Sequence, residues 1–549
     1  MNKHTRYRRA PGRTLLLSIL GAFLLSHGAW AQSNQLFDSA QAPIQDASAL
    51  VTEQQKSNFE KLAKQRGAKA IQAAKLNKSV LKSLKDGDAL TVNVFGEDLG
   101  LVVDHVRTHN STTEWHAASA DKAADMTLVS VDGRLAGSVR VADRLYSLQS
   151  LNGDLIAVIL VDESELIEHD AAHPEGVLHP DRGQGGMNKG LEDRKSLTTT
   201  GGDIGTADDT GDAIRVIVAY TAAAAAASSN INSTIALAVS ETNQSYRNSH
   251  IESNVILAHS YQTTYTETGS IFTDLSRFET PSDSFMDEVH GLRNQHSADV
   301  AILVLSNNGS YCGLASQIMA DAATAFAAVR VVCATGYYSF AHEIGHLQGA
   351  RHIITQDPST TPFPYGHGYC QPGITNGWRT IMAYGCPNGD GTRLQYWSNP
   401  FVEYGGVPMG TEAEANNARV LNETAYLVAN FRVSNPQWTI GFDWYCDGTY
   451  TRTNWAINSD GTFNAVGSTS GGTWYENHHT MVLTFSNGTR YAGRRMNESA
   501  TGVMRAFSGI QGCWYAHPNN GYNYDALPQS ADTETIPADG GKSKAKKRK

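Results

Sequence analysis

His342, Glu343, His346 and His352 form the most specific chemical pattern in the chain, within Phe340-Ala-His-Glu-Ile-Gly-His-Leu-Gln-Gly-Ala-Arg-His352. Two histidines four positions apart on a helix lie about 40° apart, one turn above the other, so both imidazoles can meet one ion. Glu343 then projects beside that ion, placed to accept a proton from water. His352 follows too far on to share the same face, so the helix must stop first. Gly349 suits that stop, because glycine enters the left-handed region without steric cost. Three neutral nitrogen ligands leave a fourth position for water, the plan of a catalytic zinc. Two plainer readings compete. A chance pattern on a surface helix has no need of Gly349 and His352. A structural zinc normally takes four protein ligands and needs no adjacent Glu.

The string His342-Glu343-x-x-His346-x-x-Gly349-x-x-His352 resembles the signature of the metzincin metalloendopeptidases, and Thr380-Ile381-Met382-Ala383-Tyr384-Gly385 resembles their Met-containing turn beneath the metal. The resemblance implies zinc as cofactor, His342, His346 and His352 as its ligands, and Glu343 as general base. Tyr384, two residues past the Met, matches the astacin- and serralysin-like pattern. There such a Tyr ligates zinc or hydrogen-bonds the tetrahedral intermediate, although packing alone would account for Tyr384 equally well, as it would for Met382. The stretch from Gly309 to Ala315 is similar to reprolysins, and residues 214–432 are similar to a bacterial group of peptidyl-Asp metalloendopeptidases. That likeness implies an edge strand, with Gly313 to Met319 as candidate, that pairs with an extended polypeptide and hence endoproteolysis. It also implies cleavage on the amino side of Asp. A pocket for Asp must supply a cation, and Arg351 and Arg379 flank the two motifs. Ile353 is a departure, since reprolysins carry Asp there and serralysins Pro. The alternative function is a secreted binding or adhesion protein with a degenerate zinc site; the intact Glu343 argues against it.

Positioning these groups takes a scaffold, and the chain of 549 residues is too long for one core. Its organisation reads as multidomain. Residues 1–31 form a secretory signal peptide: Lys3, Arg6, Arg8, Arg9 and Arg13 precede an apolar run from Leu15 to Leu25, and Ala29-Trp30-Ala31 supplies small residues for cleavage. The run is too short for a membrane span. Residues 32–181 read as an α+β propeptide, with one helix around Glu53 to Leu84 and β-type runs after it. Residues 182–212 are a polar, cleavable linker. Within residues 213–434, Ile214 to Tyr220, Val255 to Tyr261 and Val300 to Leu305 alternate with helices from Ala222 to about Asn248 and from Ser284 to Gln295. That order implies an α/β catalytic domain on a mixed, mostly parallel sheet. A terminal helix is expected over Thr411 to Arg432, with Thr411 and Glu414 at capping-box spacing. Residues 435–527 carry recurring Asp-Gly-Thr-like turns and read as a small all-β meander. Residues 528–549 end in a basic disordered tail.

The formal net charge of −10 argues against a nucleic-acid partner. Export permits disulfides, and nearest-neighbour pairing gives 312–333, 370–386 and 446–513, although the first four cysteines allow three connectivities. The propeptide has no Cys, so a latent precursor would need another blocking ligand. His169, Asp170, His173 and His179 are candidates. Trp444, Trp455, Trp474 and Trp514 read as core of the last domain, with a carbohydrate- or protein-binding face as the sharper alternative.

Overall fold

The computed structural model describes residues 34–166, 213–432 and 437–518, apart from short internal segments. The signal peptide, linker, basic tail and His169, Asp170, His173 and His179 therefore lie outside the described residues.

The N-terminal unit is built on a nine-stranded sheet. Seven strands from Ala89–Val94 to Leu155–Val161 follow one another as antiparallel hairpins. Phe95-Gly96 and Asp132-Gly133 turn two of them with positive φ at both positions, which matches the twist of paired strands. The single helix expected over Glu53 to Leu84 is instead a helix Glu53–Ala63, a strand Ala68–Lys75 and a short helix Lys78–Ser83. Gly67, at φ 74°, breaks the run. Beyond it, pairing with Leu155–Val161 overrides the helical preference of Ala, Lys and Gln.

The middle unit carries a five-stranded sheet. Ile214–Tyr220 is flanked by Val255–Gln262 and Val300–Leu305, both parallel to it. Phe326–Arg330 continues the parallel set, and Gly313–Ala315 closes one edge antiparallel. The mixed, mostly parallel sheet matches the sequence reading; several boundaries do not. The long crossover helix is two, Ala222–Ala227 and Ile231–Asn248, because Asn230 caps a new start by accepting from the Ser233 N–H. The helix expected from Ser284 begins at Glu288, since Ser284 and Met286 take positive φ and Phe285 stays 38% exposed. The last helix is Asn417–Val428. Thr411 does bind the Glu414 N–H, but that closes only a turn, and Asn416 is the true cap. The edge strand stops at Ala315 rather than Met319, whose φ of 60° turns the chain away.

Residues 437–518 form a closed barrel of eight strands rather than an open meander, because Gln437–Asp443 pairs with both Thr451–Ile457 and Gln511–Pro518. Trp455 and Trp514 fill its core, with Trp444 and Trp474 packed against them. The three expected disulfides all form, with Cα–Cα distances of 5.5, 5.9 and 5.2 Å. Cys312–Cys333 ties the start of the edge strand to the segment that leads into the helix Ser339–Leu347.

The N-terminal sheet lies on the Ile231–Asn248 helix. Ser138 donates to Glu241 at 2.5 Å, and Arg140 donates to the Gly336 carbonyl at 2.9 Å, just before the helix Ser339–Leu347. Leu166 packs with Cys312, Cys333 and Tyr337.

Candidate active site

The helix Ser339–Leu347 is wholly buried and presents His342 and His346 on one face. Gly345 sits on its underside: a Cβ there would lie 2.5 Å from the Trp397 ring and 3.2 Å from the Met382 sulfur. The missing side chain lets the helix rest directly on Met382, which is 0% exposed. The helix ends where Gly349 takes φ 102°, and a Cβ there would also crowd Phe363 and Met319. Its last carbonyls are then satisfied from outside. Met319 and Ala320 donate to the carbonyls of His346 and Leu347, both at 2.9 Å. The chain doubles back, and Arg351 exchanges backbone hydrogen bonds with Gly366 and Gly368 at 2.8 and 2.9 Å. That pairing delivers His352.

The three histidines converge. His352 Nε2 lies 3.1 Å from His342 Nε2 and 3.0 Å from His346 Nε2. His342 Nδ1 meets the Ile381 carbonyl and His346 Nδ1 the Ala350 carbonyl, each at 2.9 Å. A carbonyl can only accept, so both Nδ1 atoms carry the proton, and in the neutral imidazoles both Nε2 atoms present lone pairs. His352 can donate at most one proton into that space. A buried set of nitrogens with more lone pairs than protons is what a divalent metal requires, and zinc fits it.

Glu343 is 2% exposed and lies against the edge strand. A Cβ built on Gly313 would come within 2.2 Å of its Oε1. Tyr384 places its ring 4.5 Å from the His352 ring, edge to face. The structure thus gathers all five residues named from the sequence. Gly313 entered that reading only as the first residue of the candidate edge strand, and Trp397 not at all, because their approaches to Glu343 and Gly345 are non-local.

The two arginines fare differently. Arg351 is paired with Asp357 at 2.8 Å, so its charge is already compensated. Arg379 donates to the Tyr337 hydroxyl at 3.2 Å. Arg393, not singled out from the sequence, donates to the Tyr337 carbonyl at 2.9 Å and to the Ala383 carbonyl at 3.4 Å.

A second cluster, His105, Glu114 and His116, could by composition hold a metal. Its donors are engaged elsewhere. Arg247 Nη2 lies 3.0 Å from His105 Nε2, and Ser240 bridges His116 and Glu114 at 2.9 and 2.5 Å. A fixed guanidinium stands where a cation would go. Burial, then the neighbouring His116 and Arg247, push His105 down to about 3. The cluster is a polar seam between the N-terminal sheet and the catalytic unit.

A profile of metallo-peptidase family M12, Reprolysin_5, matches residues 210–398, a span that contains both motifs. The chain is similar to a peptidyl-Asp metalloendopeptidase of Stenotrophomonas maltophilia strain R551-3, 46% identical over 314 residues, covering 57% of this chain and 72% of the relative. It is also similar to peptidyl-Asp metalloendopeptidases of Xanthomonas campestris pv. campestris, 44% identical over 57% of this chain and 72% of the relative, and of S. maltophilia strain K279a, 40% identical over 70% and 85%. With its histidine triad inside the matched region, the chain belongs to this family of bacterial M12 metallopeptidases and is a zinc-dependent metalloendopeptidase.

Proposed function

We propose that His342, His346 and His352 hold the zinc, that Glu343 is the general base, and that the enzyme cuts extended polypeptides on the amino side of Asp. The convergence of three Nε2 atoms with Glu343 packed on the edge strand carries this reading. When bound, zinc supplies a Lewis acid that acidifies water and polarises the scissile carbonyl. Ile381 and Ala350 fix the tautomers of His342 and His346, so their lone pairs stay directed inward. Glu343 takes a proton from the attacking water and passes it to the leaving nitrogen. Tyr384, whose ring lies against His352, would donate to the carbonyl oxygen as negative charge grows. Among the described residues Gly313–Ala315 pairs only with Phe326–Arg330 and ends the sheet, so its outer edge is where an extended peptide would pair.

The Asp preference rests on what the three relatives are named for. With Arg351 paired to Asp357, Arg379, which pairs in register with Arg393 next to the Met-containing turn, is the remaining candidate in sequence for the cation. Residues 32–181 act as a propeptide, and residues 437–518 form an accessory barrel. A signal peptide over residues 1–31 exports the protein; three disulfides accord with an oxidising destination, and no helix of the described residues is long and apolar enough to cross a membrane. Asp203, Asp208, Asp209 and Asp212 make the linker a substrate for its own enzyme.

A peptide library read by mass spectrometry tests the specificity. Cleavage before Asp, abolished by a chelator and restored by zinc, is the expected result. Cleavage without acidic preference after the scissile bond would remove the specificity, and chelator-resistant cleavage would remove the mechanism. The Glu343→Ala precursor, secreted into a protease-poor host, should keep its linker; trimming at the same Asp would assign maturation to another protease.

A further inference from the structure

His342 and His346 inherit their placement from a helix, but His352 has left it and needs another anchor. Its ring is held partly by Tyr384. Its backbone is held by a residue that neither motif contains. His367 Nδ1 lies 2.8 Å from the His352 carbonyl oxygen. The carbonyl can only accept, so His367 donates, and its Nδ1 carries the proton.

His367 is itself tightly fixed. It is 0% exposed. Its N–H donates to the Glu414 carbonyl at 3.1 Å, and its own carbonyl accepts from the Ser398 hydroxyl at 2.6 Å. Glycines flank it. A Cβ on Gly368 would lie 2.7 Å from the Met382 carbonyl carbon, and a Cβ on Gly366 would lie 3.1 Å from Val420. The segment is thus wedged between the Met-containing turn and the last helix. Its Nε2, by contrast, is buried and meets no hydrogen-bond partner among the described residues. Leaving a buried polar atom unpaired costs about 1–3 kcal/mol, so an apolar residue would suit that end better. The histidine is explained by its other end.

We infer that His367 is a positioning residue for the third zinc ligand. Its Nδ1–H fixes the peptide plane after His352, and so the rotation that brings His352 Nε2 to within 3.1 Å of its partners. Ile353, the residue after His352, is aliphatic and 5% exposed, and offers no polar group for this task. The side chain does it from fifteen residues away, across the backbone pairing of Arg351 with Gly366 and Gly368.

The inference rests on His352 being a ligand, and the test separates the two. Zinc affinity is measured by chelator competition in the full chain for wild type, His352→Ala, His367→Leu and His367→Asn. Asn presents an amide N–H where Nδ1 stood; Leu has similar bulk and no donor. His367→Leu should bind zinc about 10–100-fold more weakly, as loss of an outer-shell partner does, and His367→Asn should recover most of that loss. The cobalt-substituted absorption spectrum should change with Leu and not with Asn. Wild-type affinity in the Leu variant, or equal loss in both variants, would overturn the positioning role. Undiminished affinity in His352→Ala would overturn the ligand assignment beneath it. Should His367→Leu fail to fold, histidine ¹⁵N NMR on the zinc-loaded wild type decides: His367 protonated on Nδ1 is expected, and protonation on Nε2 alone refutes the inference.

Discussion

Gly313→Ala is the most informative single substitution. The new Cβ would lie 2.2 Å from Glu343 Oε1, 2.8 Å from its Cδ and 2.9 Å from its Cγ. Carbon packs comfortably at about 3.5–4.0 Å, so the carboxylate must retreat by about 1 Å. The clash falls on the end of a side chain, and the fold should absorb it for about 1–3 kcal/mol or less. Catalysis should not. A misplacement of about 1 Å can cost about 100-fold in rate, equivalent to about 2.7 kcal/mol of activation free energy. The assay is kcat on an internally quenched peptide, with zinc content measured alongside. Zinc should stay bound while kcat falls. If the loss runs through Glu343, Gly313→Ala adds little on top of Glu343→Ala, because a base that is absent cannot be displaced. Wild-type kcat in the single mutant, or fully additive losses in the double, would refute the reasoning.

Other expectations follow from the packing and the buried charges. Gly345→Ala drives a methyl into Trp397 at 2.5 Å and should lower the melting temperature, at a cost of about 1–3 kcal/mol; an unchanged melting curve would show that the floor of the site is softer than its packing implies. Met382→Leu should keep activity and cost under about 1.5 kcal/mol, and inactivity in a folded, zinc-loaded mutant would give Met382 a chemical role. Burial pushes Glu241 up to about 8, against the lowering effect of Ser138 and the Gly336 N–H. Its folded pKa is raised, so its contribution to precursor stability is full below its ordinary value of 4.5 and is lost as pH rises through about 8. Melting temperature in the precursor should therefore fall across that window, and less so in Glu241→Gln; parallel profiles would show that Glu241 is not the group responsible. Deleting residues 436–549 should leave a soluble peptidase, because the barrel closes on its own core and its own disulfide; insolubility in every oxidising host would make the barrel part of the catalytic fold.

The chemistry was legible in the sequence because its signals are local. His342, Glu343 and His346 follow from helical spacing, and Gly349 and His352 from the need to end that helix. The strand–helix alternation of residues 213–434 was legible for the same reason. What escaped is set by distant partners. The strand Ala68–Lys75 has helix-forming residues and becomes a strand only because Leu155–Val161 pairs with it. Thr411 and Glu414 form their local hydrogen bond, yet the helix waits for Asn416. Barrel closure depends on the first and last strands meeting across the whole domain. Trp397 and His367 approach the site from outside either motif, and nothing in their own neighbourhoods marks them; Gly313 was marked as edge strand, but not its close approach to Glu343.

The most direct test of the assigned chemistry is peptide turnover by Glu343→Ala at measured zinc content. Glu343 touches the edge strand and is not among the three converging nitrogens. The expected result is one zinc per chain, as in wild type, with turnover almost abolished. Turnover equal to wild type at full zinc loading would contradict the role given to Glu343, and loss of the metal would place Glu343 among its ligands.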